Sequence, residues 1–483
     1  MTPPAPPLKL GLLPVAIFLV FGVTAVLVVP AQYTDPRPTP PDEGSHAGYV
    51  IWLAQHHTLP VFLSLSDNYE GHQPPLYYLS ALPALGLYTL CSGHVATEAE
   101  PGLVIALRLW SVLIAAGGIW LAWLLGRRVF RRSRLLALAP ALFLALWPGR
   151  TLILAAVTND GLAEALCLWA FLLCAFILEE GLSPRRAAWL GLAWALALMT
   201  KSTSLALAPV VLLAVVMAAS RAERGEEERA ATTKRALTAL AIVGAVVLVV
   251  AGWWFVRNQM LYGDPLAAQV FSRLFKTDRA TPDYFFRLGL SGGAYFSLVV
   301  MNTALSFWGV YGQANVWSPA WYYLLGFLIW LLVLAGLLRQ RFAPAAEELW
   351  EGSPEPDQAR PRSTGKKDRA RESPPTASPV ASHDTDWRRQ LWLLAWLLLV
   401  VVAVFFLRFN TEFYQAQARY LFTANGPIVL LTVLGLWDLD RRRLGRGAVC
   451  FALVLVLVMA VWSVFGFAAL VAAHYPPPFL GSM

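Results

Sequence analysis

Long apolar runs alternate with short polar segments along most of the chain. A helix that crosses the hydrocarbon core of a bilayer needs about 20 apolar residues. On this criterion the pattern predicts eleven membrane-spanning helices, two of them short and joined by a tight turn at residues 199–202. The predicted spans are 10–30, 102–126, 135–156, 161–179, 187–200, 202–220, 236–256, 321–338, 390–407, 420–437 and 447–472.

Two further apolar stretches, 74–91 and about 288–310, are ambiguous by length alone. Lys and Arg concentrate on the cytoplasmic side of membrane proteins. If neither stretch crosses, 27 of the 38 Lys and Arg residues fall on one side and 11 on the other. A crossing by 74–91 alone would instead place the basic run 126–132 outside. We therefore expect 74–91 to lie in, or dip into, the outer leaflet, with the N-terminus inside and the C-terminus outside.

Composition points to the same class of protein. The 483 residues are 57% hydrophobic and only 14% charged, whereas soluble domains carry about 25% charged residues. The predicted fold class is an all-α polytopic membrane protein with one transmembrane domain, 1–483. It has large external loops at 31–101 and 257–320, and we expect juxtamembrane helices in the first of them. Segment 340–387 is rich in Pro, Ser and charge, so it cannot bury a core, and we expect a disordered cytoplasmic linker. Most of the Lys and Arg residues behind the net charge of +8 lie in the predicted cytoplasmic loops, as is usual for membrane proteins. We therefore expect no nucleic-acid partner.

Acidic and histidine side chains collect in the first external loop. Asp42 and Glu43 are adjacent, and His46 follows three to four residues later, on the same face if the loop is helical there. Glu70 and His72 come later in the same loop. Two interpretations of the acidic pair stay open: a catalytic centre, or a helix N-terminal pair that is favourable against the helix dipole.

Other polar residues fall on the same predicted side of the membrane. Asn159 and Asp160 stand where a span begins, so they can cap that helix, point into a site, or do both. Arg257 and Arg419 lie at membrane boundaries, where basic side chains commonly reach toward the interface; phosphate binding is the alternative. The remaining candidates on this side are Lys201 and Tyr420. We interpret this one-sided convergence as an active site on the outer face.

These residue types suit sugar transfer from a lipid phosphate. A carboxylate can act as a general base or hold a cation, and Arg makes bidentate contacts to phosphate. No nucleotide-sugar pool exists outside the cell, so the donor must arrive within the membrane. A polyprenyl-phosphate-linked sugar meets that need, and its tail would require an apolar groove between spans.

At these residues the chain resembles the C-type (GT-C) integral-membrane glycosyltransferases, which include protein O-mannosyltransferases and lipid A aminoarabinose transferases. The resemblance runs nearly end to end, and it rests on the order and common sidedness of several short segments. These segments are Pro41-Asp42-Glu43, Tyr69 to Tyr78, Arg108, Asn159-Asp160, Thr200-Lys201, Trp254 to Asn258 with Tyr262-Gly263-Asp264-Pro265, and Gln417 to Tyr420.

The resemblance implies an inverting hexosyl- or pentosyltransferase of the plasma or inner membrane, with a polyprenyl-phosphate donor and a protein, lipid or glycan acceptor. Asp42 matches the catalytic acidic position, and Glu70 a position that helps hold a metal in aminoarabinose transferases. Those relatives place a Lys directly after that Glu, whereas Gly71-His72-Gln73 follows here. Candidate ligands for a divalent cation are Asp42, Glu70 and His72.

Within this hypothesis each candidate residue has an expected role. Asp42 is the general base, and Glu43 and Asp160 orient the acceptor or a cation. The expected substrate and donor-phosphate contacts are His46, Glu70, His72, Asn159, Lys201, Arg257, Arg419 and Tyr420. Two other functions stay open: a transporter of lipid-linked sugar or solute, and a non-catalytic membrane scaffold. The nearly uncharged span interiors and the absence of a visible repeat argue against the transporter.

Overall fold

The structure is a computed structural model, and it describes residues 6–31, 39–65, 68–220, 226–277, 279–312, 316–342, 379–439, 445–466 and 469. Seventeen α-helices make up most of these residues, and the strands β1 (Val310–Tyr311) and β2 (Val316–Trp317) form a short antiparallel pair. The helices are α1 Leu12–Val28, α2 Glu43–His56, α3 Leu76–Ser92, α4 Pro101–Val129, α5 Arg134–Leu146, α6 Pro148–Leu154, α7 Asp160–Glu180, α8 Pro184–Leu198, α9 Ala208–Ala219, α10 Glu226–Tyr262, α11 Ala268–Phe275, α12 Pro282–Arg287, α13 Gly292–Trp308, α14 Ala320–Phe342, α15 Pro379–Asn410, α16 Asn425–Asp438 and α17 Gly445–Val461.

Within the described ranges, nine helices are long and apolar enough to cross a membrane, or ten if the bent pair α5 and α6 counts as one span. The prediction of a polytopic all-α membrane protein is confirmed, but the count of eleven spans is not. The predicted span 187–200 is helix α8, which has only 15 residues. Helices α5 and α6 meet at 58° because Trp147, which precedes Pro148, is extended with ψ 112°, the conformation that a following proline favours.

The two ambiguous stretches are both helical. Residues 74–91 contain α3, a helix of 17 residues that packs Tyr77 and Tyr78 against α2 and α4. Residues 288–310 contain α13, also of 17 residues. Whether α3 lies in the outer leaflet remains a prediction. The predicted linker 340–387 falls largely outside the described residues.

Helices α14 and α16 cross at facing glycines. A Cβ added to Gly336 would stand 1.7 Å from the carbonyl oxygen of Gly435, and one added to Gly435 would stand 2.5 Å from that of Val333. Small residues at such crossings let two backbones approach closely, which is how helices associate in a bilayer. The crossing joins α14 to the helix that follows the candidate site residues Arg419 and Tyr420.

The glycine crossing can be tested with one added methyl group. We expect Gly336→Ala to lower the free energy of unfolding by about 1–3 kcal/mol, the usual cost of overpacking, because the blocking atom is backbone. Gly244→Ala in α10 is the control: its new Cβ meets nothing within 4 Å, so it should leave stability unchanged or raise it. Thermal unfolding in detergent measures both, and equal stability of the two variants would contradict the close approach.

Candidate active site

One large cavity collects most of the candidate residues. Its volume is about 430 Å³, and it is formed by the start of α2, the loop before α3, the start of α7, the turn after α8, the segment around α11, helix α15 and the 3-10 helix Ala418–Ala424. The predicted site residues that line it are Asp42, His46, Glu70, His72, Asn159, Asp160, Lys201, Arg419 and Tyr420. Glu43 and Arg257 are the two predicted residues outside this lining.

Asp42 precedes α2 with a left-handed backbone, φ 61°, a conformation in which Asp and Asn are enriched among non-glycine residues. Its side chain makes no capping hydrogen bond to the helix. Instead, Nη2 of Arg419 donates to Oδ2 of Asp42 at 2.6 Å. Burial alone would raise the pKa of Asp42, but the Arg419 guanidinium outweighs it and holds the pKa well below its usual range. Asp42 is therefore an ionised carboxylate facing the cavity.

Glu43 points away from the cavity into a fully buried ion pair. Arg108 donates to Glu43 through Nε at 2.7 Å and Nη2 at 2.6 Å. The backbone N–H of Val157 donates to the same carboxylate at 2.9 Å, and Arg108 also donates to the carbonyl oxygens of Val29 and Pro30. This pair connects the first loop to α1, α4 and the segment before α7, so Glu43 holds Asp42 in place from behind.

His46 lies one turn after Asp42 and is buried, with 3% of its surface exposed. Its Nδ1 is 2.8 Å from the hydroxyl of Tyr78, a hydrogen bond whose donor depends on the tautomer. Burial lowers the pKa of His46 to about 4, against the opposing effect of Asp42. A neutral imidazole therefore lines the cavity at neutral pH.

Glu70 and His72 come from the loop before α3. Burial, reinforced by the charge of Asp42, raises the pKa of Glu70 to about 7, and burial lowers that of His72 to about 3. The His72 ring lies among Phe62, Phe271 and Phe275, with centroid distances of 4.9 to 5.7 Å. These surroundings are apolar on the His72 side.

A metal site at Asp42, Glu70 and His72 was expected from the resemblance. Glu70 Oε2 and His72 Nδ1 are buried and have no hydrogen-bond partner among the described residues. The described part of the chain nevertheless contains no group of three or more His, Cys, Asp or Glu side chains placed to hold an ion. Within that part of the chain, Asp42, Glu70 and His72 are therefore not placed together as ligands of one ion, and a divalent cation stays a prediction from the sequence.

Asp160 and Lys201 form the second ion pair of the cavity. Lys201 Nζ contacts Oδ1 of Asp160, and the hydroxyl of Thr158 donates to Oδ2 at 3.1 Å. Asn159 makes no side-chain cap to α7; its Nδ2 donates to Oε1 of Gln73 and to the carbonyl of Thr200. The start of α7 is thus linked to the loop before α3 and to the turn after α8.

The arginine that enters the cavity from the 257–320 loop is Arg279. Arg257 instead donates to the carbonyl of Pro60 at 2.7 Å and lies 4.9 Å from the Trp254 ring. Arg279 lines the cavity, donates to the Tyr69 hydroxyl at 3.1 Å and lies 4.4 Å from the Phe275 ring. Arg279 is not among the site residues predicted from the sequence, because no local signal distinguishes it from the other basic residues of the predicted loop 257–320.

The far side of the cavity is apolar. One face of α15 supplies four apolar residues at helical spacing, and the turn after α8 supplies two more. These are Val402, Phe405, Phe406, Phe409, Leu205 and Ala206. The end of α15 also brings the ion pair of Arg408 and Glu412 to the lining. Arg419 and Tyr420 also line the cavity, from the 3-10 helix Ala418–Ala424. The cavity therefore has one charged end and one apolar flank along a membrane-spanning helix.

Comparison with solved structures shows the same fold. ArnT from Cupriavidus metallidurans bound to undecaprenyl phosphate matches at 15% identity over 96% of this chain and 77% of that one, with a TM-score of 0.52. Its apo state matches at 16% identity over 96% and 76%, also with a TM-score of 0.52. The protein has the GT-C membrane fold.

The apo oligosaccharyltransferase of Archaeoglobus fulgidus matches more weakly, at 13% identity over 97% of this chain and 56% of that one, with a TM-score of 0.48. No protein-family profile and no curated protein sequence matches the chain. At the level of the fold, the two ArnT matches confirm the GT-C resemblance inferred from the sequence.

Removing one partner of the buried Glu43–Arg108 ion pair should greatly lower the stability of the protein. We expect Glu43→Ala to lower the free energy of unfolding by about 3–5 kcal/mol, because it leaves Arg108 buried without a counter-charge. Glu100→Ala, which breaks the exposed pair with His94, is the control and should cost far less. Chemical unfolding in detergent measures both. A loss for Glu43→Ala no larger than that of the control would contradict the bracing role.

His46 predicts a pH dependence of stability. Its pKa is about 4 in the folded protein against an ordinary 6.5, so between these values the unfolded chain binds the extra proton. Lowering the pH from 7 to 5 should therefore lower the free energy of unfolding by about 2 kcal/mol through this residue. Unfolding at both pH values, with His46→Gln beside the wild type, isolates the effect. An identical pH dependence in both proteins would show that His46 does not contribute.

Proposed function

We propose that the protein is a membrane glycosyltransferase that moves a hexose or pentose from a polyprenyl-phosphate-linked donor to an acceptor hydroxyl. The observation that carries the proposal is the two-sided cavity. Its charged end presents Asp42, Asp160, Lys201, Arg279 and Arg419, and its flank is the apolar face of α15. An amphiphilic donor with a charged head and an apolar tail matches both parts.

The donor phosphate would lie between Arg279 and Arg419. Both guanidinium groups line the cavity, and the buried Nε of each has no hydrogen-bond partner among the described residues. Buried N–H groups without partners favour a ligand that accepts hydrogen bonds, and the geometry of the Arg guanidinium matches that of phosphate. Lys201, held by Asp160, adds a third positive charge. The undecaprenyl phosphate bound by ArnT supports this class of donor.

Transfer would proceed as a single inverting displacement. The acceptor hydroxyl oxygen forms a bond to the anomeric carbon while the bond from that carbon to the phosphate oxygen breaks. The bonding electron pair leaves with the polyprenyl phosphate, and the hydroxyl proton passes to Asp42. Arg279, Arg419 and Lys201 stabilise the negative charge that develops on the leaving phosphate.

The ion pair with Arg419 would couple donor binding to the basicity of Asp42. In the free site Arg419 holds the pKa of Asp42 low, and a carboxylate with a low pKa is a weak base. A donor phosphate shares the guanidinium and so weakens its hold on Asp42. The pKa of Asp42 then rises when the substrate is in place, which limits base action to the loaded site.

We place this cavity on the external face of the plasma or inner membrane, with the N-terminus in the cytoplasm. The excess of Lys and Arg in the opposite loops supports that orientation. Acceptors available there are proteins, lipids and glycans. The lipid of the bilayer is the route by which the donor reaches the flank at α15.

The base assignment predicts the effect of Asp42→Asn. Asn tolerates the left-handed backbone of this position, so the variant should fold, while transfer should fall by about 10²–10⁴-fold. The measurement is release of polyprenyl phosphate from a radiolabelled lipid-linked hexose by the purified protein in liposomes, with cell-envelope extract as acceptor.

Asp283→Asn, on the exposed face of α12 outside the cavity lining, is the matched control and should retain activity. Full activity of Asp42→Asn would overturn the base assignment. Counterflow of the labelled lipid-linked sugar without any transfer product, in the wild type, would favour the transporter instead.

A further inference from the structure

A second cavity lies on the other side of α2, away from the charged one. Its volume is about 340 Å³, which falls within the range of small-ligand pockets. Helix α2 supplies one face of it, and Leu65, Asn68, Tyr69 and the segment 97–99 supply the rest. The helical residues that line it are Gly44, Ser45, Gly48, Ile51, Trp52 and Gln55.

The lining of this second cavity is polar without being basic. None of its described lining residues is Lys, Arg or His, and its one acidic side chain is Glu98. Two amides, Gln55 and Asn68, and hydroxyls such as that of Thr97 both donate and accept hydrogen bonds. Trp52 adds a broad apolar ring. A phosphate or another anion would find no counter-charge here.

Two buried polar atoms of this lining lack partners. Oδ1 of Asn68 and Nε1 of Trp52 make no hydrogen bond among the described residues. Asn68 is only 9% exposed, and a buried polar group left unpaired costs free energy. Both residues line the cavity, and a ligand that offers donors and acceptors around an uncharged body matches the polar groups of this lining.

From these observations we infer that the second cavity binds a neutral saccharide, as a subsite for the non-reacting part of the acceptor. Sugar rings present hydroxyl donors and acceptors at their edges and C–H groups on their faces, which match the amides, hydroxyls and Trp52. The inference rests on the proposed transferase function, because it assigns the ligand to the acceptor.

The two cavities are connected through shared elements. Asp42 and His46 line the charged cavity, while Gly44 and Gly48 of the same helical turns line the neutral one. Tyr69 lines the neutral cavity and accepts a hydrogen bond from Arg279, which lines the charged one. Binding energy from remote parts of a substrate can be used to orient its reacting group, and this arrangement offers that route.

Gly48 provides a clean way to fill the second cavity. A Cβ added at this position meets nothing within 4 Å, so Gly48→Leu places a side chain into open space in a helix where glycine is a poor helix former. Gly48→Ala is the milder form. Gly86→Leu is the matched control, since Gly86 is also helical, also has open space at its Cβ, and lies outside the lining.

The test uses the full-length protein in detergent on an array of neutral oligosaccharides, uronic-acid or sulfated oligosaccharides, and peptides. We expect the wild type and Gly86→Leu to bind neutral oligosaccharides, Gly48→Leu to lose about tenfold or more in affinity, and Gly48→Ala to lose less. Equal binding by Gly48→Leu and the wild type, binding confined to anionic glycans or to peptides, or no glycan binding by the wild type would overturn the inference.

A parallel measurement separates this result from the proposed function. Binding of undecaprenyl phosphate, followed by native mass spectrometry, should be the same in the wild type, Gly48→Leu and Gly86→Leu, because Gly48 does not line the charged cavity. Failure of the wild type to bind this lipid would count against the proposed donor, whatever the array shows. Lipid binding without glycan binding would overturn the acceptor subsite alone.

Discussion

The buried ion pair between Glu43 and Arg108 positions the whole candidate site. Glu43 begins α2, and Arg108 lies 65 residues away in α4. The same two side chains bind the backbone at Val29, Pro30 and Val157, so the end of α1 and the segment before α7 are held as well. A charge that is buried without its partner is costly, and this cost keeps α2 in one orientation. Asp42 and His46 face the cavity because Glu43 cannot turn toward it.

The cavity itself depends on pairs of opposite charge from distant parts of the chain. Asp42 meets Arg419 across 377 residues, and Asp160 meets Lys201 across 41. Each pair keeps a carboxylate and a cation at the same end of the cavity. In each pair the carboxylate and the cation stay in contact until a ligand competes for the cation. The lipid phosphate of the proposed donor would be a ligand of that kind, and its tail would lie against the apolar face of α15.

Much of the fold could be predicted from the sequence, because about 20 apolar residues in a row permit few structures other than a spanning helix. The number of spans could not. Helix α8 is short, and the 58° bend before α6 comes from one proline that a hydropathy pattern does not weigh. The grouping of most candidate residues followed from sidedness, since charged loops on one side of a bundle converge.

The predicted side of the membrane does not tell which of two similar residues faces the cavity and which contacts another partner. Asp42 and Glu43 are identical in kind and adjacent, yet one faces the cavity and the other a buried arginine. Arg257 and Arg279 both fall in the predicted loop 257–320, but Arg257 belongs to α10. It contacts Pro60 and Trp254 instead of the cavity, which Arg279 lines. These choices are made by contacts across dozens to hundreds of residues, and no local pattern encodes them.

Helix α2 divides a charged cavity from a neutral one, and this division has a physical basis. The paired carboxylates and cations of the charged cavity are largely buried, so they interact with a phosphate more strongly than they would in bulk water. A neutral saccharide binds through hydrogen bonds and ring contacts, so it needs no such environment, and the cavity that suits it has exposed residues, Thr97 and Glu98, at its edge. A single helix can therefore present reacting groups to one compartment and recognise an uncharged ligand from the other. The small size of Gly44 and Gly48 on the second side is what leaves room for that ligand.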